Sequence, residues 1–226
     1  MIVNEYKILH PEDELYPSAF SDIFGHFDKP DIFYIGNIDL LNRPSVGFCG
    51  SRNASDKGLE VAHDCASQFA DNDVVVVSGY AKGVDTQAHR GALESSGSTI
   101  VVLPEGINHF RIKRELKEAW DWQRTLVISY FAPDAAWRAD RAMDRNKAIV
   151  GLSRATIVIE ARETGGTFHA GITALQQGRF LVVAKYSDPN SSNIGNDKLI
   201  SLGGIPLQRN KHTGRSEIKW IISDIS

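Results

Sequence analysis

The chain has 226 residues, 42% hydrophobic and 23% charged, with a formal net charge of -3. That composition belongs to a folded globular protein with room for a large core, and one domain is the natural expectation. It excludes a globally basic surface that would steer a polyanion, a disulfide framework (the cysteines are Cys49 and Cys65), and a membrane span of ~20 apolar residues.

The acidic N-terminus, MIVNEYKILHPEDE, has no basic leader, so a cytoplasmic setting is expected. Residues 1–44 contain Tyr16-Pro17, a short helical stretch and IFYIGN, which reads as a strand. They form an extension packed on a core of residues 45–226, the two making one globular unit. The core opens a series of β-branched runs: SVGFCG (45–50), DVVVVSG (73–79), STIVVLPEG (98–106), TLVISYF (125–131), ATIVIEA (155–161) and FLVVAK (180–185). Continuous apolar runs suit strands buried on both faces of a parallel sheet. Helical patterns lie between them. After Ser55, an N-cap, Leu59, Ala62, Cys65, Ala66 and Phe69 recur at helical spacing, and Asp85 can cap a helix carrying Ala88, Ala92 and Leu93. Cys49 and Cys65 fall on apolar faces and read as core. Past Pro206 the chain is polar, and IKWII then reads as an edge strand. The alternation predicts an α/β, Rossmann-like, doubly wound and mostly parallel sheet with an N-terminal extension.

In such a sheet, ligands sit outside the carboxyl ends of the strands, near helix N-termini. The strand ends here supply Gly50-Ser51-Arg52, then Ser78-Gly79 with Lys82, then Pro104-Glu105-Gly106 followed by Arg111, Lys113 and Arg114, and finally Gly165-Gly166-Thr167. Small residues let backbone N–H groups approach an anion, and nearby cations complement it, so the set points to a phosphate-bearing ligand. Arg138, Arg141 and Arg145 share one face of a predicted helix. The first two read as a solvated face, whereas Arg145, Asn146 and Lys147 lead directly toward the strand that ends at Gly165. Asp85 reads as a cap and His89 as a core or surface histidine. Signatures of a hydrolase triad, a metal site, a Walker A loop and a dinucleotide fingerprint are absent, so no cofactor is expected.

GFCGSRNAS, VVVVSGYAKGVDTQAHRGAL and DRNKAIVGLSRATIVIEARETGGTFHAGITALQQGR together resemble the DNA-processing protein A family (DprA, also called Smf) over roughly residues 16 to 207. The resemblance implies an extended Rossmann-like fold that binds single-stranded DNA without catalysis, in recombination and natural transformation. It implies RecA recombinase and a second copy of the chain as partners. By position, the DNA pocket falls on Gly50, Ser51, Arg52, Ser78, Gly79, Lys82, Lys113, Arg145, Asn146, Lys147, Gly165, Gly166 and Thr167.

The chain departs from the family pattern at Arg111-Ile112-Lys113, where Tyr-Pro-Lys is usual, and at Lys147, where arginine is usual. Glu105 sets a carboxylate beside the proposed pocket. Neither the family's N-terminal helical module nor its winged-helix-like C-terminal module is visible, which suggests a minimal or divergent member. The rival readings are a nucleotide sensor, a partner-binding regulator in phage defence, or a phosphoribohydrolase of the lonely-guy type. The last of these has glutamate where this chain has Ala170, and a ribosyl bond is not cut without a carboxylate near the sugar.

Overall fold

The β-branched runs occupy the centre of a nine-stranded sheet in a computed structural model that describes residues 5–25, 28–187 and 192–225. The inner strands are β3 (Ser45–Cys49), β4 (Val75–Ser78), β5 (Thr99–Val102), β6 (Thr125–Ser129), β7 (Ala155–Val158) and β8 (Phe180–Ala184). All pair in parallel, and β9 (Ile205–Leu207) extends them at one edge. At the other edge β1 (Lys7–Leu9) and β2 (Ile32–Gly36) add antiparallel strands, β2 pairing Phe33 with Ser129 and Gly36 with Leu126. The N-terminal extension is thus hydrogen-bonded into the sheet.

Alternation along each strand feeds both faces. Val75, Val77, Ile100, Val102, Leu126 and Ile128 face one core, shared with helices α1 (Ala19–Phe24), α4 (Ala139–Leu152), α5 (Gly166–Gln176) and α6 (Ile194–Ser201). Val46, Phe48, Val76, Ile157 and Val182 face another, shared with α2 (Asp56–Ala70), α3 (Val84–Glu94) and α7 (Lys219–Ile225). A burial pattern without a solvated face is what a parallel sheet sandwiched by helices requires. Cys49 and Cys65 are fully inside, and burial pushes both thiols up to about 12. An aromatic cluster of Tyr80, Phe110, Trp120 and Trp122 packs beside Val101 and Val127.

Sheet order runs β1-β2-β6-β5-β4-β3-β7-β8-β9. From β3 the chain steps outward to β6, and α4 then carries it back across to β7 on the far side of β3. The strand order therefore reverses between β3 and β7, which is where an open α/β sheet leaves a crevice.

Local signals correct the expected elements at several points. Ser55 does cap α2, its Oγ accepting from Gly58 N at 3.1 Å. The cap of α3 is Gly83, at φ +85°, and Asp85 sits within the first turn. IKWII is the body of helix α7, because Ile218, Ile221 and Ile225 are buried at helical spacing. On α2 the buried face runs through Val61 while Leu59 is only part-buried.

Candidate nucleic-acid interface

The crevice at the β3/β7 reversal opens into a cavity of about 500 Å³. Its wall takes Gly50, Ser51, Arg52 and Asn53 from the exit of β3, Ala81 and Asp85 from the start of α3, and Arg145 and Asn146 from α4. The exit of β7 and the start of α5 add Glu160, Arg162, Thr164, Gly165, Gly166 and Thr167.

Two glycine turns shape this wall. A Cβ on Gly50 would lie 2.4 Å from Val84, so only glycine lets the β3 exit lie against the start of α3. Gly165 adopts φ +107°, a conformation that favours glycine, and caps α5. Asn146 Nδ2 donates to the Gly166 carbonyl at 3.1 Å, tying α4 to this turn. The first N–H groups of α5 have no intrahelical acceptor and carry the positive end of the helix dipole. Arg52 projects into solvent at the rim, its guanidinium carbon 5.4 Å from the Trp137 ring centroid.

Arg145 is the buried cation of the cavity, 4% exposed. Its guanidinium packs directly against Gly79, where a Cβ would fall 1.4 Å from Nη1. Nη1 is 3.6 Å from Asp85 Oδ2, too long for a hydrogen bond, and Nε and Nη1 have no hydrogen-bond partner among the described residues. Asp85 also accepts from Ala81 N at 3.3 Å. Burial raises its carboxyl above the usual range, and Arg145 opposes that rise. Glu160 is the second buried carboxylate; it accepts from Ser55 N and Oγ at the start of α2.

The remaining predicted residues lie around the cavity, outside its wall. Ser78 is fully buried and donates to the Phe48 carbonyl at 2.8 Å. Gly79 is the seat of Arg145. Lys113 is half-buried, donates from Nζ to Ala81 O at 3.1 Å and Thr86 Oγ1 at 2.8 Å, and sits 4.6 Å from the Tyr80 ring centroid. Desolvation lowers its pKa, and it braces the loop after β4. Lys82 is exposed and faces a neighbouring depression with Arg52 and Glu115. Lys147 pairs with Asp144 at 2.9 Å on the outside of α4. Glu105 stays off the wall, so the carboxylates that matter are Asp85 and Glu160, neither predicted for that role. His89 is a core histidine between Thr99 and Gly79. Arg138 pairs with Asp140 in solvent, whereas Arg141 donates to the Ala136 carbonyl at 2.7 Å. Trp137 also lines the cavity; its only sequence signal is its place just ahead of the arginine-rich helix.

Among the described residues, no His, Cys, Asp and Glu cluster could hold a metal ion, and no helix is long and apolar enough to cross a membrane. The family model for DNA recombination-mediator protein A matches residues 7–213. The DNA processing protein DprA of Streptococcus pneumoniae is 37% identical over 170 residues, which is 74% of this chain and 58% of that protein. The Bacillus subtilis DprA is 29% identical over 193 residues, 83% of this chain and 63% of its own. The chain thus spans less than two thirds of either curated relative. Among solved structures, the Streptococcus pneumoniae DprA superposes with a TM-score of 0.79 at 32% identity, covering 90% of this chain and 71% of that one. DNA processing protein A from Helicobacter pylori, solved for its single-stranded DNA binding mode, gives 0.79 at 24% identity, covering 97% and 95%. A molybdenum cofactor binding protein from Rippkaea orientalis shares the fold alone, with a TM-score of 0.58 at 19% identity over 81% of this chain and 98% of its own.

Proposed function

The chain belongs to the DNA recombination-mediator protein A family, and from that premise we propose that it binds single-stranded DNA and holds it without cutting it. The observation that carries this reading is the convergence at the strand-order reversal. There the Gly50-Ser51-Arg52 turn, the N-terminus of α5 and the under-partnered Arg145 line one cavity. Backbone amides and cations of this kind hold phosphates, while Asn53 and Asn146 offer neutral polar groups to bases. The cavity is local, which fits a protein of net charge -3.

The absence of catalysis is part of the proposal. Ala170 is fully buried in α5. Glu160 is engaged with the start of α2 and Asp85 with Arg145 and Ala81, so both buried carboxylates already have structural duties. The setting in this reading is the cytoplasm. There the protein protects single strands during recombination or transformation and passes them to a RecA-type recombinase, working as a pair of copies.

Fluorescence anisotropy of labelled oligo-dT, with a duplex control and a salt series, tests it. Affinity for the single strand is expected to exceed that for the duplex and to fall as salt rises. Arg52→Ala is expected to cost about 2 kcal/mol, the scale of a charge-assisted contact. Equal affinity for both DNAs, or an unchanged Arg52→Ala variant, overturns the assignment. Release of free base from AMP or another nucleoside monophosphate overturns the non-catalytic part.

A further inference from the structure

Basic groups continue along the carboxyl edge of the sheet beyond the cavity. β7, β8 and β9 are parallel neighbours, so the exits of β8 and β9 lie on the same edge as the cavity. Two strand spacings, roughly 10 Å, separate β9 from β7. Past β9 the chain makes a tight hairpin, closed where Arg209 pairs with Ser216. Asn210 Oδ1 accepts from His212 N at 2.9 Å and Thr213 N at 3.0 Å, and Gly214 turns the chain at φ +68°. Two carboxylates of α2 hold the hairpin down. Asp64 accepts from Ser216 N at 2.8 Å and Arg215 Nε at 2.9 Å, and Glu60 lies 3.2 Å from Arg209 Nη2. The tip, from Lys211 to Gly214, stays exposed.

Glu60 and Asp64 are thus engaged by the hairpin arginines, while the lysines around it are unpaired. Lys211 at the tip, Lys185 just past β8 and Lys57 in the first turn of α2 are exposed, and none has an ion-pair partner among the described residues. Lys185 N donates to the Leu207 carbonyl at 3.4 Å, which sets this residue beside the base of the hairpin. Lys57 Nζ is 5.9 Å from the Tyr186 ring centroid. Tyr186 spans the gap to the cavity: burial and the charge of Glu160 on the cavity wall raise its phenol, while Arg209 opposes them. Set against the lysines are Asp56, in the first turn of α2, and Glu217, which accepts from Asn210 Nδ2 at 3.3 Å. In a protein of net charge -3, three unpaired ammonium groups between the cavity and the hairpin tip suit a polyanion that already occupies the cavity. Phosphodiesters repeat along a strand, and ammonium groups meet them as point charges without reading a base. We propose that the single strand leaves the cavity along the exits of β8 and β9, where Lys57, Lys185 and the Lys211 tip of the clamped hairpin hold its backbone. This rests on the DNA-binding reading above and extends the contact beyond the cavity.

Anisotropy of an oligo-dT ladder from about 4 to about 16 nucleotides, the span of single-strand sites, tests this path with wild type and a Lys185→Ala, Lys211→Ala double variant. Wild-type affinity is expected to climb with length past the shortest strand that binds. The double variant is expected to match wild type on that shortest strand and to lose about tenfold on the longest. Its salt slope on the longest strand should be shallower by about 1.4, since each neutralised phosphate of a single strand contributes about 0.7. Matching affinity on the short strand shows that the variant is folded with its cavity intact. Arg52→Ala, by contrast, should weaken binding at every length. An affinity that does not grow with length, or double-variant losses that are absent or equal at every length, overturns the hairpin path while the DNA-binding reading stands. If wild type binds no strand at all, that reading itself fails and the path falls with it.

Discussion

Arg145 rests on the bare Cα of Gly79, its guanidinium filling the space between that turn and Asp85 that a side chain on residue 79 would take. An ion pair this deep, with a 3.6 Å separation, is a costly arrangement to keep unless its spare donors are used. Gly79→Ala puts a methyl group where Nη1 now lies, and overpacking of that kind costs about 1–3 kcal/mol. The expected outcome is a lower urea midpoint together with weaker oligo-dT binding, since the displaced guanidinium no longer faces the cavity. An unchanged midpoint would show that Arg145 has another place to go. From spacing alone Gly79 reads as a phosphate contact. A pattern of glycines cannot separate one that approaches an anion from one that leaves space for a side chain arriving from a helix 66 residues later. Lys113 misleads in the same way: its charge is visible in the sequence, but its partners, Ala81 O and Thr86 Oγ1, are not.

Helix α2 illustrates how one element borrows its start from another. Ser55 Oγ accepts from Gly58 N, and the same residue donates to Glu160, which arrives from the exit of β7. Gly58 has no side chain because a Cβ there would lie 2.5 Å from Glu160 Oε1. Ser55→Ala removes the cap and leaves the buried carboxylate short of a donor. A loss of about 1–2 kcal/mol is expected in chemical denaturation. A double-mutant cycle with Glu160→Gln should be clearly non-additive, since the two residues share one hydrogen-bond network. Additive losses would mean that the cap and the carboxylate act separately. The cap is legible in sequence; its buried partner, 105 residues away, is not. The six inner strands are legible as well, because each is a β-branched run hidden on both faces. Helix α7 is not, because IKWII, taken as five residues, fits a strand. Only the wider window from Ile218 to Ile225 shows the three-to-four spacing that buries its isoleucines.

The whole molecule carries a built-in sensitivity to acid through His89. Its ring is fully buried in α3, with Nε2–H donating to the Gly79 carbonyl and Nδ1 facing the Thr99 hydroxyl. Burial, the largest influence, pushes its pKa from 6.5 down to about 4. The unfolded chain takes up a proton below pH 6.5 while the folded chain resists until about pH 4, so stability is full above 6.5 and falls through that window. The accumulated loss is on the order of 3 kcal/mol, because each tenfold drop in proton affinity is worth about 1.4 kcal/mol. Urea midpoints measured from pH 7 to pH 4.5 should decline, and His89→Gln should flatten the part of the decline that His89 causes. A variant with the same slope as wild type would assign the acid response to other groups.

The two margins of the sheet are closed in different ways. On one side the short β1, from Lys7 to Leu9, finishes an antiparallel pair hung on β6. On the other, the three-residue β9 has Pro206 at its centre, a residue with no N–H to offer a newcomer. Brief, interrupted margins are poor templates for an incoming chain. Neither margin therefore invites a further strand, and high protein concentration is not expected to zip sheets from separate molecules into a fibre.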